Sequence, residues 1–138
     1  NSMKPGLKHG HHILINSLAY RFVAPARGDI IIFQHPISHM YLVKRIVGTP
    51  GEHIQITGGQ VFVNGQPITE INPSGKTLAN TSSPSSWWCD DDQYYVLGDN
   101  RASSLDDSRH FGTIQQRSIL GKVWIRVWPP VSLGFIPK

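Results

Sequence analysis

The sequence lacks the features that would stabilise a small domain covalently or place it within a bilayer. Cys89 is the only cysteine among the 138 residues, so no disulfide can form within the chain. No uninterrupted apolar stretch approaches the roughly 20 residues that a helix needs to cross a bilayer. We therefore expect a packed hydrophobic core to stabilise the fold, and we interpret Cys89 as a structural thiol.

Charge is also sparse, since charged residues make up 16% of the chain and the net charge is +4. Lys and Arg are scattered along the sequence rather than gathered into a basic run, so we expect no nucleic-acid partner, although a weak positive charge suits an anionic membrane surface. No group of potential ligands has the spacing of a metal site. We therefore expect neither a metal nor another cofactor.

Glycine and proline, by contrast, are abundant, with 13 Gly and 10 Pro. Turn formers that separate short apolar runs are typical of many short strands. The dipeptide Asn64-Gly65 between apolar residues predicts a type I′ hairpin within an antiparallel ribbon over 53–68. The segment "TIQQRSILGK" predicts the only helix, a short one with Thr113 as its N-cap. The fold class is therefore predicted to be all-β, with coiled antiparallel sheets and one short helix.

The predicted strand "YLVKRIVGTPGE", residues 41–52, carries two adjacent cations, Lys44 and Arg45. Because side chains alternate along a strand, each cation lies on a different face among apolar neighbours. A buried Arg keeps its charge and needs a carboxylate or water, whereas a desolvated Lys can become neutral and act as a base. Periodicity alone does not select the buried cation, and a strand Lys more often reaches the surface along its methylene stem.

Two further segments carry polar groups suited to chemistry. The segment "GDNRASSLDDSRHFG", residues 98–112, follows the apolar strand "YYVL" directly, so we expect an internal polar network there. The segment "NSMKPG" places Ser2 beside turn-forming residues, where a serine is usually a cap or a solvated hydroxyl.

Four segments in this order resemble the conserved boxes of type I signal peptidases, the serine–lysine proteases that remove signal peptides: "SMKP" at 2–5, "RGDI" at 27–30, "KRIVGTPGE" at 44–52 and the segment 98–112. This resemblance implies that Ser2 is the nucleophile and Lys44 the general base. A lysine base must be neutral near the operating pH, and the apolar neighbours Leu42 and Ile46 would favour that form by desolvation.

The resemblance also implies that Ser104 hydrogen-bonds and orients the lysine amine, with Asp99, Asp107 and Arg109 as supporting residues. The segment is one residue longer than the family's pattern between this serine and Asp-Ser-Arg. Either Ser103 or Ser104 therefore remains a candidate to face the lysine. Either Asp106 or Asp107 likewise remains a candidate to pair with Arg109.

The resemblance further implies a single catalytic domain over 1–138, with its core at about 1–57 and 92–130 and a β-ribbon and loop insertion at about 58–91. The expected substrates are preproteins with small residues of the Ala-x-Ala kind before the cleavage site. The enzyme would act at a membrane surface, with an anchor expected before Asn1 and tryptophans at the interface: Trp124 and Trp128, or Trp87 and Trp88.

The expected location is the outer, periplasmic or extracytoplasmic, face of a plasma membrane, or alternatively a thylakoid or mitochondrial inner membrane. Two other functions are compatible with the same residues. One is another serine–lysine maturation peptidase, of the mitochondrial inner-membrane or conjugation type. The other is a catalytically weak β-domain that binds peptides.

Overall fold

The computed structural model of the chain describes residues 12–17, 19–68, 85–99, 101, 106–128 and 134–135, and for 12–16, 124–128 and 134–135 it describes the backbone alone. The described elements are β1 His12–Asn16, β2 Ile30–Gln34, β3 Tyr41–Gly48, β4 His53–Thr57, β5 Gln60–Val63, β6 Gln66–Pro67, β7 Ser86–Trp88, β8 Gln93–Leu97, α1 Ser108–Phe111, β9 Ile114–Gln115, a 3-10 helix Gln116–Ser118, β10 Ile119–Trp128 and β11 Gly134–Phe135. Within these ranges, no helix has the length and apolar character needed to cross a membrane.

The described strands form two antiparallel sheets. The larger sheet has the order β1-β10-β2-β3-β8-β9, with β11 paired to β10, and the smaller sheet has the order β6-β5-β4-β7. In the larger sheet β3 lies between β2 and β8, so the strand that carries both adjacent cations is central. The predicted all-β fold class is confirmed, since the described residues form mostly antiparallel strands with one short α-helix.

The smaller sheet contains the predicted ribbon and its hairpin. Asn64 and Gly65 have φ values of 51° and 82°, as a type I′ turn requires at both central positions. The loop expected at 72–86 lies largely outside the described residues. The strand β4, His53–Thr57, pairs with β5 and β7 in this sheet.

Among the described residues, the short α-helix lies outside the predicted segment 113–122, which contains the 3-10 helix Gln116–Ser118 instead. The helix α1 spans Ser108–Phe111, and Asp107 caps it by accepting a hydrogen bond from the backbone N–H of Arg109 at its N-terminus. Thr113 caps no helix, because Ile114 pairs with Tyr94 in the larger sheet and is buried there. Strand pairing and burial therefore outweigh the local capping pattern.

The larger sheet has an apolar cluster on each face. One cluster, here called the ribbon-side cluster, packs against the smaller sheet and comprises Val47, Ile54, Ile56, Val61, Val63, Cys89, Tyr95 and Leu97. The other, here called the helix-side cluster, comprises Ile31, Phe33, Ile46, Tyr94, Val96 and Ile114, with Phe111 of α1 packed against it. Burial, together with the negative charges of Glu52 and Asp90, raises the pKa of the Cys89 thiol to about 12. The thiol is therefore protonated at neutral pH, and it is structural rather than reactive.

Gly48 lies where β3 leaves the larger sheet and the chain turns toward β4. A Cβ atom on Gly48 would lie 2.5 Å from Cδ1 of Ile54, 2.8 Å from its Cγ1 and 3.1 Å from Cβ of Tyr95. No side chain fits there without displacing the ribbon-side cluster. The close approach of the two sheets therefore requires glycine at this position.

Gly48→Ala is expected to lower the free energy of unfolding by about 1–3 kcal/mol, because the added methyl group overpacks a filled core. Adding Ile54→Val removes the nearest methyl group and should recover part of this loss. Urea unfolding of the two single variants and the double variant measures the effect. Simple additivity of the two single losses would contradict the steric explanation.

Candidate active site

Lys44 is buried on the helix-side face of β3. Its side chain is 4% exposed, and across the sheet it is paired with Ile31 of β2, whose side chain belongs to the helix-side cluster. Its neighbours on the same face of β3 are Leu42 and Ile46, which pack in the same cluster. Lys44 therefore does not reach the surface along its stem, which was the alternative left open by the strand pattern.

The surroundings of Lys44 favour its neutral form. Burial lowers the pKa of the Lys44 amine, and this effect outweighs the negative charges of Asp107 and Asp106, which raise it. The charge of Arg109 lowers the pKa further. A desolvated amine with a lowered pKa has the property that a lysine general base requires.

Arg45 is also buried, at 4% exposure, but on the ribbon-side face of β3. Its Nε donates to Oδ1 of Asp99 at 2.8 Å and its Nη2 to Oδ2 at 2.7 Å, while Nη1 donates to the carbonyl of Gly28 at 2.8 Å. The guanidinium and the carboxylate thus form a bidentate ion pair, and Asp99 itself is only 1% exposed. Both cations of β3 are therefore buried, and each has different surroundings.

The start of α1 contributes a second buried ion pair. Nε of Arg109 donates to Oδ1 of Asp107 at 3.0 Å, and its Nη2 donates to Oδ2 at 2.8 Å and to the carbonyl of Arg101 at 3.0 Å. Nε of Arg101 donates to the carbonyl of Gly98 at 2.7 Å. Of the two aspartates compatible with the sequence, Asp107 is thus the one that pairs with Arg109.

Ser108 connects α1 directly to the larger sheet. Its hydroxyl is fully buried and accepts a hydrogen bond from the backbone N–H of Val96 at 2.8 Å. Val96 lies opposite Ile46, two residues along β3 from Lys44. The helix start and its charged pair are therefore held against the strands on which Lys44 lies.

The structure brings together Lys44, Arg45, Asp99, Asp107 and Arg109 around β3, the end of β8 and α1. The predicted nucleophile and the two candidate orienting serines lie outside the described residues: Ser2, Ser103 and Ser104.

The box at 44–52 ends in a turn that the box at 27–30 holds in place. Nη1 of Arg27 donates to both carboxylate oxygens of Glu52, at 2.7 and 2.9 Å. The backbone N–H and the hydroxyl of Thr49 donate to the same carboxylate at 2.7 and 2.8 Å. Burial alone would raise the pKa of Glu52, but these hydrogen bonds and the Arg27 charge lower it overall.

Two buried polar residues were not predicted from the sequence. The carboxylate of Asp29 accepts a hydrogen bond from Tyr20 Oη at 2.8 Å and lies 3.3 Å from Nζ of Lys122, and burial together with Asp29 raises the pKa of Tyr20. His35 Nε2 lies 3.1 Å from Oδ1 of Asp106. The only local signal was that a polar residue stands at each end of the buried strand β2.

Metal-binding groups are not clustered in the part of the chain that the structure describes. No three or more His, Cys, Asp or Glu side chains there come together in a way that could hold a metal ion.

Comparisons with known proteins identify the family of the chain. The profile of a family described as signal peptidase, peptidase S26, matches residues 1–128. A signal peptidase I of Leptolyngbya laminosa is 36% identical over 144 residues, covering 96% of this chain and 68% of that protein. Signal peptidase I V of Bacillus subtilis is 36% identical over 135 residues, covering 88% of this chain and 78% of that protein.

A solved structure shares the fold. The crystal structure of a signal peptidase I from Enterococcus faecalis is similar with a TM-score of 0.57 at 30% identity, covering 72% of this chain and 96% of that one. The fold and the family profile define the chain as a peptidase and therefore a hydrolase. The chain belongs to the signal peptidase family, peptidase S26. The resemblance implied that the chain is a peptidase that removes signal peptides. Its membership of this family confirms that function.

Asp99→Asn is expected to lower the free energy of unfolding by about 3 kcal/mol, because it leaves the Arg45 guanidinium buried without its carboxylate. Chemical denaturation at pH 7 measures the loss. The matched control is Asp91→Asn, the same substitution at an exposed position, which should change stability by less than about 0.5 kcal/mol. Equal small effects of both substitutions would show that the buried pair contributes little.

Lys44→Met is expected to raise the denaturation midpoint at pH 7. The pKa of Lys44 is lower in the folded chain than its ordinary value of 10.5, so below that value the unfolded chain binds a proton more readily and is favoured. The gain should therefore shrink as the pH rises toward 10.5. Lys122→Met is the contrasting control, because it removes the cation beside buried Asp29 and should lower the midpoint. A Lys44→Met variant that is less stable than the wild type at pH 7 would contradict the desolvated lysine.

Proposed function

We propose that the chain removes N-terminal signal peptides from preproteins with Ser2 as the nucleophile and Lys44 as the general base. The observation that carries this proposal is the burial of Lys44 in an apolar cluster, with a lowered pKa for its amine. A serine hydroxyl is a weak nucleophile until a neighbouring base accepts its proton. A lysine whose neutral form is favoured by burial provides that base, and serine–lysine pairs are a known variant of the serine protease mechanism.

The proposed reaction has two stages. The neutral Lys44 amine accepts the proton of the Ser2 hydroxyl while the oxygen attacks the carbonyl carbon before the cleaved bond, and the resulting ammonium then protonates the departing amine. The signal peptide remains as an ester on Ser2. In the second stage Lys44 accepts a proton from water, the hydroxide attacks the ester, and the ammonium returns that proton to the Ser2 oxygen as the ester bond breaks. The signal peptide leaves as a carboxylic acid, which loses its proton to solvent.

In this proposal one group of supporting residues contacts the lysine amine directly, and the other fixes the strands and the helix around it. Ser104, or its neighbour Ser103, hydrogen-bonds the amine of Lys44 and directs its lone pair toward Ser2. Asp99 acts through Arg45, because their ion pair fixes β3 against the end of β8. Asp107 and Arg109 fix the start of α1, and their opposite charges act on the lysine amine.

We also propose that the substrates carry small residues of the Ala-x-Ala kind and that cleavage takes place at a membrane surface, on its outer face. The net charge of +4 favours an anionic surface. Large apolar side chains are exposed among the described residues, including the chain neighbours Phe22 at 92% and Val23 at 68%, and Trp88 at 66%. Exposed tryptophans of this kind suit the interface of a membrane. Trp88 stacks on His53 at a centroid distance of 4.2 Å. The side chains of Trp124 and Trp128 lie outside the described part of the chain.

Cleavage of a preprotein by the purified chain in detergent or vesicles tests the assignment of the two residues. Ser2→Ala and Lys44→Ala should each lower kcat by roughly a thousandfold or more, because each removes one half of a unit that acts together. The matched control is Lys8→Ala, which should leave kcat within about twofold of the wild type. Mass spectrometry of the products identifies the cleaved bond. Equal cleavage by all three variants would overturn the proposal.

The pH dependence provides an independent readout on Lys44. The base is active when deprotonated, so kcat/KM should rise with pH through the lowered pKa of the free enzyme and level off at a lower pH than an ordinary lysine, whose pKa is 10.5, would give. A profile that is flat from about pH 6 to pH 10 would contradict a lysine base in this environment.

A further inference from the structure

A buried histidine that takes no part in the proposed proton transfers joins the β2–β3 hairpin to the start of α1. We propose that His35 is a positioning residue for this reaction: its imidazole holds Asp106, and with it the start of α1, in place beside Lys44. This inference rests on the proposed function, because it assumes that Lys44 is the base.

The contacts of the imidazole fix its tautomer. Nδ1 accepts hydrogen bonds from the backbone N–H groups of Ile37 at 3.0 Å and Ser38 at 3.1 Å. A nitrogen that accepts from N–H groups carries a lone pair, so the ring proton of the neutral imidazole is on Nε2. Nε2 lies 3.1 Å from Oδ1 of Asp106 and is therefore the donor in that hydrogen bond. The turn of the hairpin thus determines that the ring presents a donor to the carboxylate.

Packing leaves the ring little freedom. His35 is 7% exposed, and its ring meets the ring of Phe111 edge-on at a centroid distance of 4.8 Å. Phe111 in turn packs against Phe33 of β2 at 6.1 Å. Asp106, by contrast, has a side chain that is 55% exposed. Among the described contacts, a rigid buried donor thus holds a carboxylate that would otherwise be free to turn into solvent.

The held carboxylate belongs to the surroundings of the base. Asp106 directly precedes Asp107, and both negative charges act on the Lys44 amine against the effect of its burial. His35 is also tied to the start of the strand that carries Lys44. Its backbone N–H donates to the carbonyl of Met40 at 2.7 Å, and β3 begins at the next residue, Tyr41. His35 therefore couples the strand of the base to the charges that surround it.

The experiment compares His35→Asn with His35→Gln, because each retains one of the two functions of the ring. The Asn side chain places its amide group near the position of Nδ1, so it can accept from the turn but does not reach Asp106. The Gln side chain places its amide near Nε2, so it can still donate to Asp106 but serves the turn less well. Each variant is assayed for kcat, KM, pH profile and denaturation midpoint on the same preprotein.

If His35 is a positioning residue, His35→Asn should lower kcat by about tenfold while KM remains close to that of the wild type. The denaturation midpoint should fall to a similar extent in His35→Asn and His35→Gln, because both variants lose the ring contact with Phe111. The acid limb of its pH profile should move to lower pH, because a released Asp106 raises the pKa of Lys44 less. His35→Gln should retain most of kcat. The matched control is His39→Asn, the same substitution in the same hairpin at an exposed residue whose φ of 64° asparagine readily adopts.

Variants of Asp106 complete the test. Asp106→Asn keeps an acceptor for Nε2 but removes the charge, so it should retain kcat and move the acid limb to lower pH by roughly half a unit or less. Asp106→Ala should reproduce the loss seen in His35→Asn. The double variant His35→Asn with Asp106→Ala should then show no further loss, because the two residues act through one contact.

Three outcomes overturn the proposal. The first is wild-type kcat and pH profile in His35→Asn, and the second is additive losses in the double variant. The third is a larger loss of kcat and a lower denaturation midpoint in His35→Gln than in His35→Asn. That result would mean that His35 acts only by accepting hydrogen bonds from the turn. Failure of the proposed function is recognised separately, because Lys44→Ala would then still cleave the preprotein.

Discussion

The ion pair between Arg45 and Asp99 is the interaction on which the site depends. It joins the middle of β3 to Asp99, two residues beyond the end of β8, where the polar segment 98–112 begins. Neither partner is stable in the core alone, because an unpaired buried charge costs several kcal/mol. The bidentate geometry therefore fixes where that segment leaves the sheet. From there the hydrogen bonds of Arg101 and Arg109 carry the constraint to α1.

Neighbouring cations on β3 thus have opposite physical roles. Arg45 faces the ribbon-side cluster, remains charged and contributes structure through its carboxylate partner. Lys44 faces the helix-side cluster, where burial favours the neutral amine. The charges near Lys44 come from the start of α1 and include both signs, so their effects partly cancel and desolvation dominates. A single strand therefore carries both a guanidinium that fixes the structure and an amine whose neutral form is favoured.

Local signals in the sequence were sufficient for most strands but not for long-range contacts. The strands near 30–33 and 41–47 and the Asn64-Gly65 turn were predicted because apolar patterning and turn chemistry are local properties. The helix at Thr113 was predicted wrongly, since strand pairing by Ile114 decides that segment. The choice between Asp106 and Asp107 needed the fold, because both stand at compatible spacing. His35 could not be recognised, since its partner lies 71 residues away along the chain.

Because both faces of β3 are buried, the register of this strand decides which of its two basic side chains faces each apolar cluster. Because a strand's side chains alternate, the insertion or deletion of one residue before Lys44 would exchange the two faces. A permanently charged guanidinium would then occupy the apolar helix-side cluster, and the titratable amine would meet Asp99. Both side chains would still be buried, but the guanidinium could not become neutral and the amine could not form a bidentate pair with Asp99. Changes in the length of the β2–β3 hairpin should therefore be tolerated only when they leave this register intact, which makes strand length a constraint on how such sequences can diverge.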